Sequence, residues 1–234
     1  LYLDKFLEIK KPISLVNMWV SEGRILETDR LATNSNVRFR KATMIYLDNA
    51  ATTALHESVL ERMLPYFSAD FGNPGSVHAA GRTALHAVMN ARATVAECFG
   101  CTPRQIVFTS GGTEADNQAL ATGAEFGRRA HRMRMVASSI EHPAVLRALD
   151  YWEAQGFVIT LVNPDETGVV SARAIEAVLD GDVCLVSVMS ANNETGVLQP
   201  VAEIAQVAHA AGSLFHTDAV QAAGHVRLDA EALG

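Results

Sequence analysis

Residues 183–221 have the sequence VCLVSVMSANNETGVLQPVAEIAQVAHAAGSLFHTDAVQ. The run 183–188 is short, apolar and rich in β-branched residues, which predicts a buried strand. Residues 200–211 have helical periodicity, with Pro200 placed for the first turn, and 213–217 predict a second strand. A strand, a helix and a strand in this order are typical of a parallel sheet covered by helices.

The same alternation extends towards the N-terminus. Further strands are predicted at 106–109, 133–138 and 157–162, and further helices at 55–68, 79–99, 113–127, 143–155 and 171–180. The sequence therefore predicts an α/β fold with a mostly parallel sheet and helices on both faces. In such sheets ligands bind beyond the carboxyl ends of the strands, so polar residues just after each strand are the candidates for function.

Composition and charge are those of a globular protein. Hydrophobic residues make up 49% and charged residues 19%. No segment reaches the ~20 apolar residues that span a bilayer, and the first residues do not resemble a secretory signal, so we expect a cytoplasmic protein with no membrane partner. Residues 44–234 carry eleven Lys+Arg against twenty-one Asp+Glu, which argues against a nucleic-acid-binding surface.

The chain divides near Met44. Residues 1–43 show no sustained period of 2 or 3.6, whereas a strand-like segment begins at Met44. We expect 1–43 to be an extension and 44–234 to be the folded unit.

The cysteines and histidines predict no metal site. Cys98 and Cys101 have CxxC spacing, but no second pair or nearby histidine couple completes a zinc site, and no HExxH motif is present. We interpret both cysteines as structural thiols, with redox or metal chemistry as the alternative. Cys184 lies in an apolar run and is predicted to be a core residue.

A glycine turn follows the predicted strand 106–109. Gly111, Gly112 and Thr113 precede a helix, where backbone N–H groups and the Thr113 hydroxyl favour an anion. The alternative is a tight turn capped by Thr113. The turn matches neither GxxxxGK[ST] nor GxGxxG, which disfavours a generic nucleotide-binding domain.

Polar residues follow three more predicted strands. His142 opens a helix, and it is either a structural residue or an aromatic platform and proton carrier. Asn193 lies in a loop, and Asp218 and Gln221 follow the last strand. Together these groups could hold a phosphorylated, protonated aromatic ring, with ionised Asp218 on its nitrogen and the phosphate at the helix terminus.

Six stretches resemble the cysteine desulfurases of the NifS/IscS type, which are fold-type I pyridoxal-phosphate enzymes of the class V aminotransferase group. In chain order the stretches are 46–53, 71–78 with 81–82, 108–117, 141–145, 191–196 and 216–221. The resemblance covers 44–234 and implies the N-terminal part of the large, cofactor-binding domain, truncated at the C-terminus.

The resemblance also implies a cofactor and its ligands. The implied cofactor-binding residues are Gly112, Thr113, His142, Asn193, Asp218 and Gln221. Gly112 and Thr113 bind the phosphate of pyridoxal phosphate in this assignment, and Asp218 binds the pyridine nitrogen. His142 is the catalytic acid or base over the ring, and the two amide side chains lie near the ring hydroxyl.

The implied reaction transfers sulfur from L-cysteine to a persulfide on the enzyme and releases alanine. The implied partners are a sulfur-acceptor protein, such as an iron–sulfur scaffold, and a second copy of the full-length enzyme. In this family a lysine shortly after the segment equivalent to 216–221 holds the cofactor, and a cysteine on a later loop accepts the sulfur. Neither stretch is present, and the lysines are Lys5, Lys10, Lys11 and Lys41, so we expect the chain alone to be inactive.

Two other functions fit the same residues. One is a related class V enzyme such as a selenocysteine lyase. The other is a non-catalytic fragment or interaction module that pairs with a separate, lysine-bearing chain.

Overall fold

The computed structural model describes residues 45–233, so the predicted extension at 1–43 lies outside the described residues. The helices are α1 (Glu57–Met63), α2 (Pro65–Ser68), α3 (Ala79–Cys98), α4 (Gly112–Ala130), α5 (Pro143–Ala154), α6 (Ala172–Glu176), α7 (Val201–Ala210) and α8 (Ala230–Leu233). The strands are β1 (Arg134–Ser138), β2 (Val158–Val162), β3 (Val183–Ser187) and β4 (Leu214–His216). A 3₁₀ turn at Pro103–Gln105 has the capping box that its sequence predicts.

The four strands form one parallel sheet in the order β2-β1-β3-β4. Alternate β1 side chains pack into two hydrophobic cores, one on each face of the sheet, because successive side chains of a strand point to opposite faces. Met135 packs with the buried residues of α4 and α5, and Val136 with Ile175 of α6 and Ile204 of α7. Helices therefore cover both faces, and the predicted α/β architecture is confirmed.

Glycine brings α4 close to the sheet. A Cβ atom added at Gly127 would lie 2.5 Å from the carbonyl oxygen of Arg132 and 2.8 Å from Sγ of Cys184. One added at Gly123, a turn earlier, would lie 2.7 Å from Cδ2 of Leu185. Two glycines four residues apart thus allow contact between helix and strand, and this contact fixes where α4 begins relative to the strand ends.

Three predictions about individual elements are wrong. The run 106–109 is not a strand: Ile106 is extended (φ −92, ψ 123), but the run pairs with no strand within 45–233. The helix predicted at 55–68 is split at Pro65, which lacks the N–H that a continuous helix would need. Pro200 is the N-cap of α7 and lies one residue before the first turn.

The helix predicted at 171–180 is also shorter than expected. It covers Ala172–Glu176, and a turn follows it with bonds from Val178 N–H to the Ile175 carbonyl and from Leu179 N–H to the Glu176 carbonyl. Such i to i−3 bonds tighten the end of a helix. The apolar periodicity that predicts the longer helix therefore extends beyond the residues with α-helical hydrogen bonds.

A helix cap at the end of α3 occupies the CxxC segment. Gly100 has φ +61, and the bonds from Cys101 N–H to the Ala96 carbonyl and from Gly100 N–H to the Glu97 carbonyl form a Schellman cap. Cys98 is exposed and Cys184 is buried, and burial raises the pKa of Cys184 to about 11.

The described residues contain no cluster of three or more His, Cys, Asp or Glu that could hold a metal, and no helix among them is long and apolar enough to cross a membrane.

Candidate functional site

A cleft of about 550 Å³ opens at the carboxyl ends of β1, β3 and β4. This volume lies in the range of small-molecule sites. All of the residues predicted for the site line it, namely Gly112, Thr113, His142, Asn193, Asp218 and Gln221. The structure thus brings together, in one cleft, residues that the sequence places in four separate loops.

The first turn of α4 forms one wall of the cleft. The helix has 19 residues, and its N-cap is Gly111, with no side chain capping it. The Thr113 side chain therefore lies inside the first turn, and the alternative interpretation as a Thr-capped turn is wrong. Glu114 Oε2 accepts from Ser110 N–H at 2.7 Å, which holds the approach to the helix. The positive end of the helix dipole faces the cleft and favours an anion there.

His142 has a structural contact and also faces the cleft. It is the N-cap of α5, and its Nδ1 accepts the N–H of Ala144 at 3.1 Å. Because Nδ1 is the acceptor, the proton of a neutral ring is on Nε2. The cap fixes the ring orientation and the tautomer, so the structural interpretation of this histidine is confirmed, and its position at the cleft leaves the role of platform and proton carrier as a prediction.

Asp218 is a buried carboxylate with a single hydrogen bond from the backbone. Its exposure is 7%, and Oδ1 accepts the N–H of Val220 at 2.9 Å. Burial raises the pKa of Asp218, and the nearby charge of Asp116 raises it further. The Val220 N–H, His216 and His142 act in the opposite direction. A cation in the cleft would act against this desolvation and favour the ionised carboxylate, because a nearby opposite charge stabilises the charged form.

The two amides contact the cleft differently. Gln221 donates from Nε2 to the carbonyl oxygen of Ala50 at 3.2 Å, which ties the segment at 48–51 to the cleft. Asn193 is half-buried at the cleft surface. Its neighbour Asn192 shapes the loop: Oδ1 accepts the N–H groups of Glu194 at 3.0 Å and Thr195 at 2.8 Å.

Sequence reasoning missed three ionisable groups at the site, the buried Asp116 and Glu141 and the partly buried His216. Asp116 and Glu141 are each 4% exposed, and Asp116 lines the cleft. All three lie inside the stretches that carry the family resemblance, and an acid or histidine next to an apolar run was the only available signal. Their burial and mutual distances depend on tertiary packing.

Glu141 stands out because one of its carboxyl oxygens finds no hydrogen-bond partner among residues 45–233. Oε1 accepts the hydroxyl of Ser138 and the N–H of Met189, the latter at 2.8 Å. Oε2 is buried and makes no hydrogen bond to the described part of the chain. Burial raises the pKa of Glu141 to about 7. The carboxyl group thus links the end of β1 to the loop after β3 and holds its proton up to neutral pH.

We expect Glu141→Gln to flatten the pH dependence of folding stability. The folded chain holds a proton on Glu141 between pH 4.5 and about 7 that the unfolded chain releases, so wild-type stability falls as pH rises through this window. The loss is about 3 kcal/mol, since each pKa unit corresponds to ~1.4 kcal/mol. Glutamine can accept the same two bonds through Oε1 and does not titrate.

Urea unfolding of both proteins at pH 5 and pH 8 measures this effect. Glu153→Gln, at an exposed position of α5, is the control and should keep the wild-type slope. An equal fall in stability with pH for Glu141→Gln and wild type would show that Glu141 does not titrate in this window.

The comparison with family models agrees with the geometry. The model of the aminotransferase class-V family matches residues 45–234. The chain belongs to the aminotransferase class-V family. This confirms the family prediction.

Several relatives of this class-V chain are cysteine desulfurases. It is 44% identical to cysteine desulfurase IscS of Methanosarcina thermophila over 81% of this chain and 46% of the relative. It is 45% identical to putative cysteine desulfurase IscS 1 of Bacillus subtilis over 79% of this chain and 48% of the relative. The chain spans about half the length of the curated relatives that it matches.

Solved structures share the fold of this class-V chain. A NifS-like protein superposes with a TM-score of 0.78 at 38% identity, over 81% of this chain and 52% of that chain. SspA in complex with cysteine superposes with a TM-score of 0.77 at 34% identity, over 81% of this chain and 55% of that chain. The predicted fold-type I architecture is therefore confirmed for the described part.

Proposed function

We propose that the chain forms the cofactor-binding part of a pyridoxal-phosphate-dependent cysteine desulfurase. The observation that carries the proposal is the position of Asp218, a buried carboxylate in the cleft whose wall is the N-terminus of α4. The carboxylate suits a heterocyclic cation and the helix N-terminus suits a phosphate. Both lie in one cleft that has the size of a small-molecule site. The similarity to cysteine desulfurases supports the choice among class-V reactions.

The residues of the cleft fit pyridoxal phosphate. A Cβ atom added at Gly111 would meet nothing within 4 Å, so space remains beside the turn at the start of α4. Asp218 Oδ1 accepts the Val220 N–H, whereas Oδ2 has no hydrogen-bond partner within 45–233 and is available to a ligand. When bound, the cofactor supplies an electron sink that stabilises negative charge developing on the substrate.

Each predicted residue has a role in this proposal. Gly112 and Thr113 bind the phosphate through backbone N–H groups and the hydroxyl. Asp218 keeps the pyridine nitrogen protonated, and His142 presents Nε2 to the ring and the substrate as the catalytic acid or base. The two amides, Asn193 and Gln221, lie near the ring hydroxyl.

The groups for covalent chemistry are not supplied by 45–233. These residues contain no lysine, and none of their cysteines lines the cleft. Cys184 is also buried with a raised pKa, which opposes the thiolate that a sulfur acceptor needs. We infer that 44–234 is the N-terminal part of the large domain, with 1–43 as an extension, and that the 234-residue chain has no turnover alone.

The whole enzyme, in this proposal, takes sulfur from L-cysteine onto one of its own cysteines as a persulfide and releases alanine. An acceptor protein, such as an iron–sulfur scaffold, then receives the sulfur. The solved neighbour that binds cysteine supports this substrate class. A homodimer and a cytoplasmic location complete the proposal.

Pyridoxal phosphate titration followed by borohydride reduction and peptide mapping tests the cofactor part. We expect saturable, reversible binding and no stoichiometric adduct on a lysine. An adduct on one of the lysines between positions 5 and 41 would contradict the inferred absence of a covalent partner.

The reaction is tested on the protein that the complete reading frame encodes. We expect equimolar alanine and sulfide from L-cysteine in the presence of a thiol reductant. Turnover of selenocysteine without turnover of cysteine would contradict the desulfurase assignment and favour a selenocysteine lyase.

A further inference from the structure

A histidine between two polar partners lies at the end of β4. Nδ1 of His216 is 2.9 Å from the Ser187 hydroxyl, and Nε2 is 3.6 Å from Oδ1 of Asp116. The side chains of His216 and Asp116 are 13% and 6% exposed. This triad joins the ends of β3 and β4 to the first turns of α4, and the proposed function gives it no role.

The two contacts of His216 differ in kind. The 3.6 Å between Nε2 and Asp116 Oδ1 is an ion-pair distance and too long for a hydrogen bond, so a protonated His216 ring attracts the Asp116 carboxylate by charge. The Ser187 hydroxyl can donate to Nδ1 or accept from it, and either bond holds the ring plane. Ser187 is itself fully buried in β3, so it gives the ring a rigid support.

The triad acts on the charge of Asp218. Asp116 raises the pKa of Asp218, and His216 lowers it. His142 also lowers the pKa of Asp218, and Glu141 interacts with the same carboxylate. The groups facing Asp218 therefore come from α4, from the loop between β1 and α5, and from the end of β4. Two buried carboxylates near one cleft repel each other unless one of them has a counter-group.

We propose that His216 is a positioning residue of the cofactor site: Ser187 orients its ring, and the ring offsets the charge of Asp116 so that Asp218 stays ionised towards the pyridine nitrogen. This inference rests on the proposed function and adds to it a role for three residues outside the predicted site. Without His216, Asp116 would stand uncompensated beside Asp218 and favour its protonated form. A protonated Asp218 cannot hold a ring nitrogen in its charged state.

A charge-rescue experiment separates this role from simple packing. His216→Phe keeps an aromatic ring but has no N–H, and we expect about tenfold weaker pyridoxal phosphate binding, equivalent to ~1.4 kcal/mol. Adding Asp116→Asn removes the uncompensated charge, so the double variant should recover most of the lost affinity. His209→Phe, at an exposed position of α7, is the control.

The second readout does not depend on the cofactor. Carboxyl ¹³C NMR titration of the cofactor-free chain follows the protonation of Asp218 directly. We expect His216→Phe to move the Asp218 titration to higher pH and Asp116→Asn, which is nearly isosteric, to move it to lower pH. If His216→Phe fails to fold, His216→Gln, which keeps a polar side chain but cannot carry the charge, takes its place with the same expected shift to higher pH.

The outcomes separate the two proposals. An Asp218 titration that does not move when the His216 ring is lost overturns the role of His216, even if wild type binds the cofactor. A double variant as weak as His216→Phe also overturns it, because the ring would then matter only for packing. Failure of the wild-type chain to bind pyridoxal phosphate would instead contradict the proposed function. The NMR titration would still show whether His216 changes the protonation of Asp218.

Discussion

Replacing Asp218 by Asn should weaken pyridoxal phosphate binding to the chain by roughly tenfold to a hundredfold. A hydrogen bond to a charged group contributes about 1.5–3 kcal/mol, and each ~1.4 kcal/mol is a factor of ten in affinity. Asparagine keeps the shape of the side chain and can accept the Val220 N–H bond, but it cannot stabilise a protonated ring nitrogen. Absorbance or fluorescence titration of the cofactor measures the change.

Asp150→Asn is the matched control for this experiment, since Asp150 is an exposed carboxylate on α5. It should bind like wild type. Because burial and Asp116 raise the pKa of Asp218, wild-type binding should also weaken as pH falls and Asp218 takes up its proton. Equal affinity of Asp218→Asn and wild type would remove Asp218 from the site.

Replacing Gly127 by Val should destabilise the fold by about 2–3 kcal/mol, towards the upper end for overpacking in a tight interface. The new Cβ would lie 2.5 Å from the backbone oxygen of Arg132, which cannot rotate away as a side chain could. The helix would have to move from β3, and its N-terminal turn would move with it. Urea unfolding followed by circular dichroism measures the loss.

Gly181→Val provides the comparison, because a Cβ at Gly181 meets nothing within 4 Å and that glycine has no positive φ. We expect it to change stability by less than about 0.5 kcal/mol, as for other surface substitutions. If Gly127→Val unfolds at the same urea concentration as Gly181→Val, α4 does not pack against the sheet as closely as described.

The sequence predicts the sheet well because its strands are marked locally. Residues 183–188 are apolar and β-branched, and β3 covers Val183–Ser187. The run 106–109 has the same local signal but has no paired neighbour within 45–233. Pairing is a property of two segments, so an apolar run identifies an extended segment without identifying its partner.

The candidate site likewise combines features that the sequence marks locally with features that depend on the packed fold. The positions of Thr113, His142 and Asp218 could be predicted, because parallel strands end at one edge and polar residues follow each end. The Asp116–His216 contact could not be predicted, since it joins a helix and a strand that are far apart in the chain. The raised pKa of Glu141 depends on burial, which only the packed fold supplies.

A crystal structure of the chain with pyridoxal phosphate tests the proposed site most directly. We expect the phosphate at the first turn of α4, beside Gly112 and Thr113, and the pyridine nitrogen within about 3 Å of an Asp218 carboxylate oxygen, the length of a charge-assisted hydrogen bond. A ring bound in this cleft with its nitrogen away from Asp218, or a cofactor bound elsewhere on the chain, would contradict it.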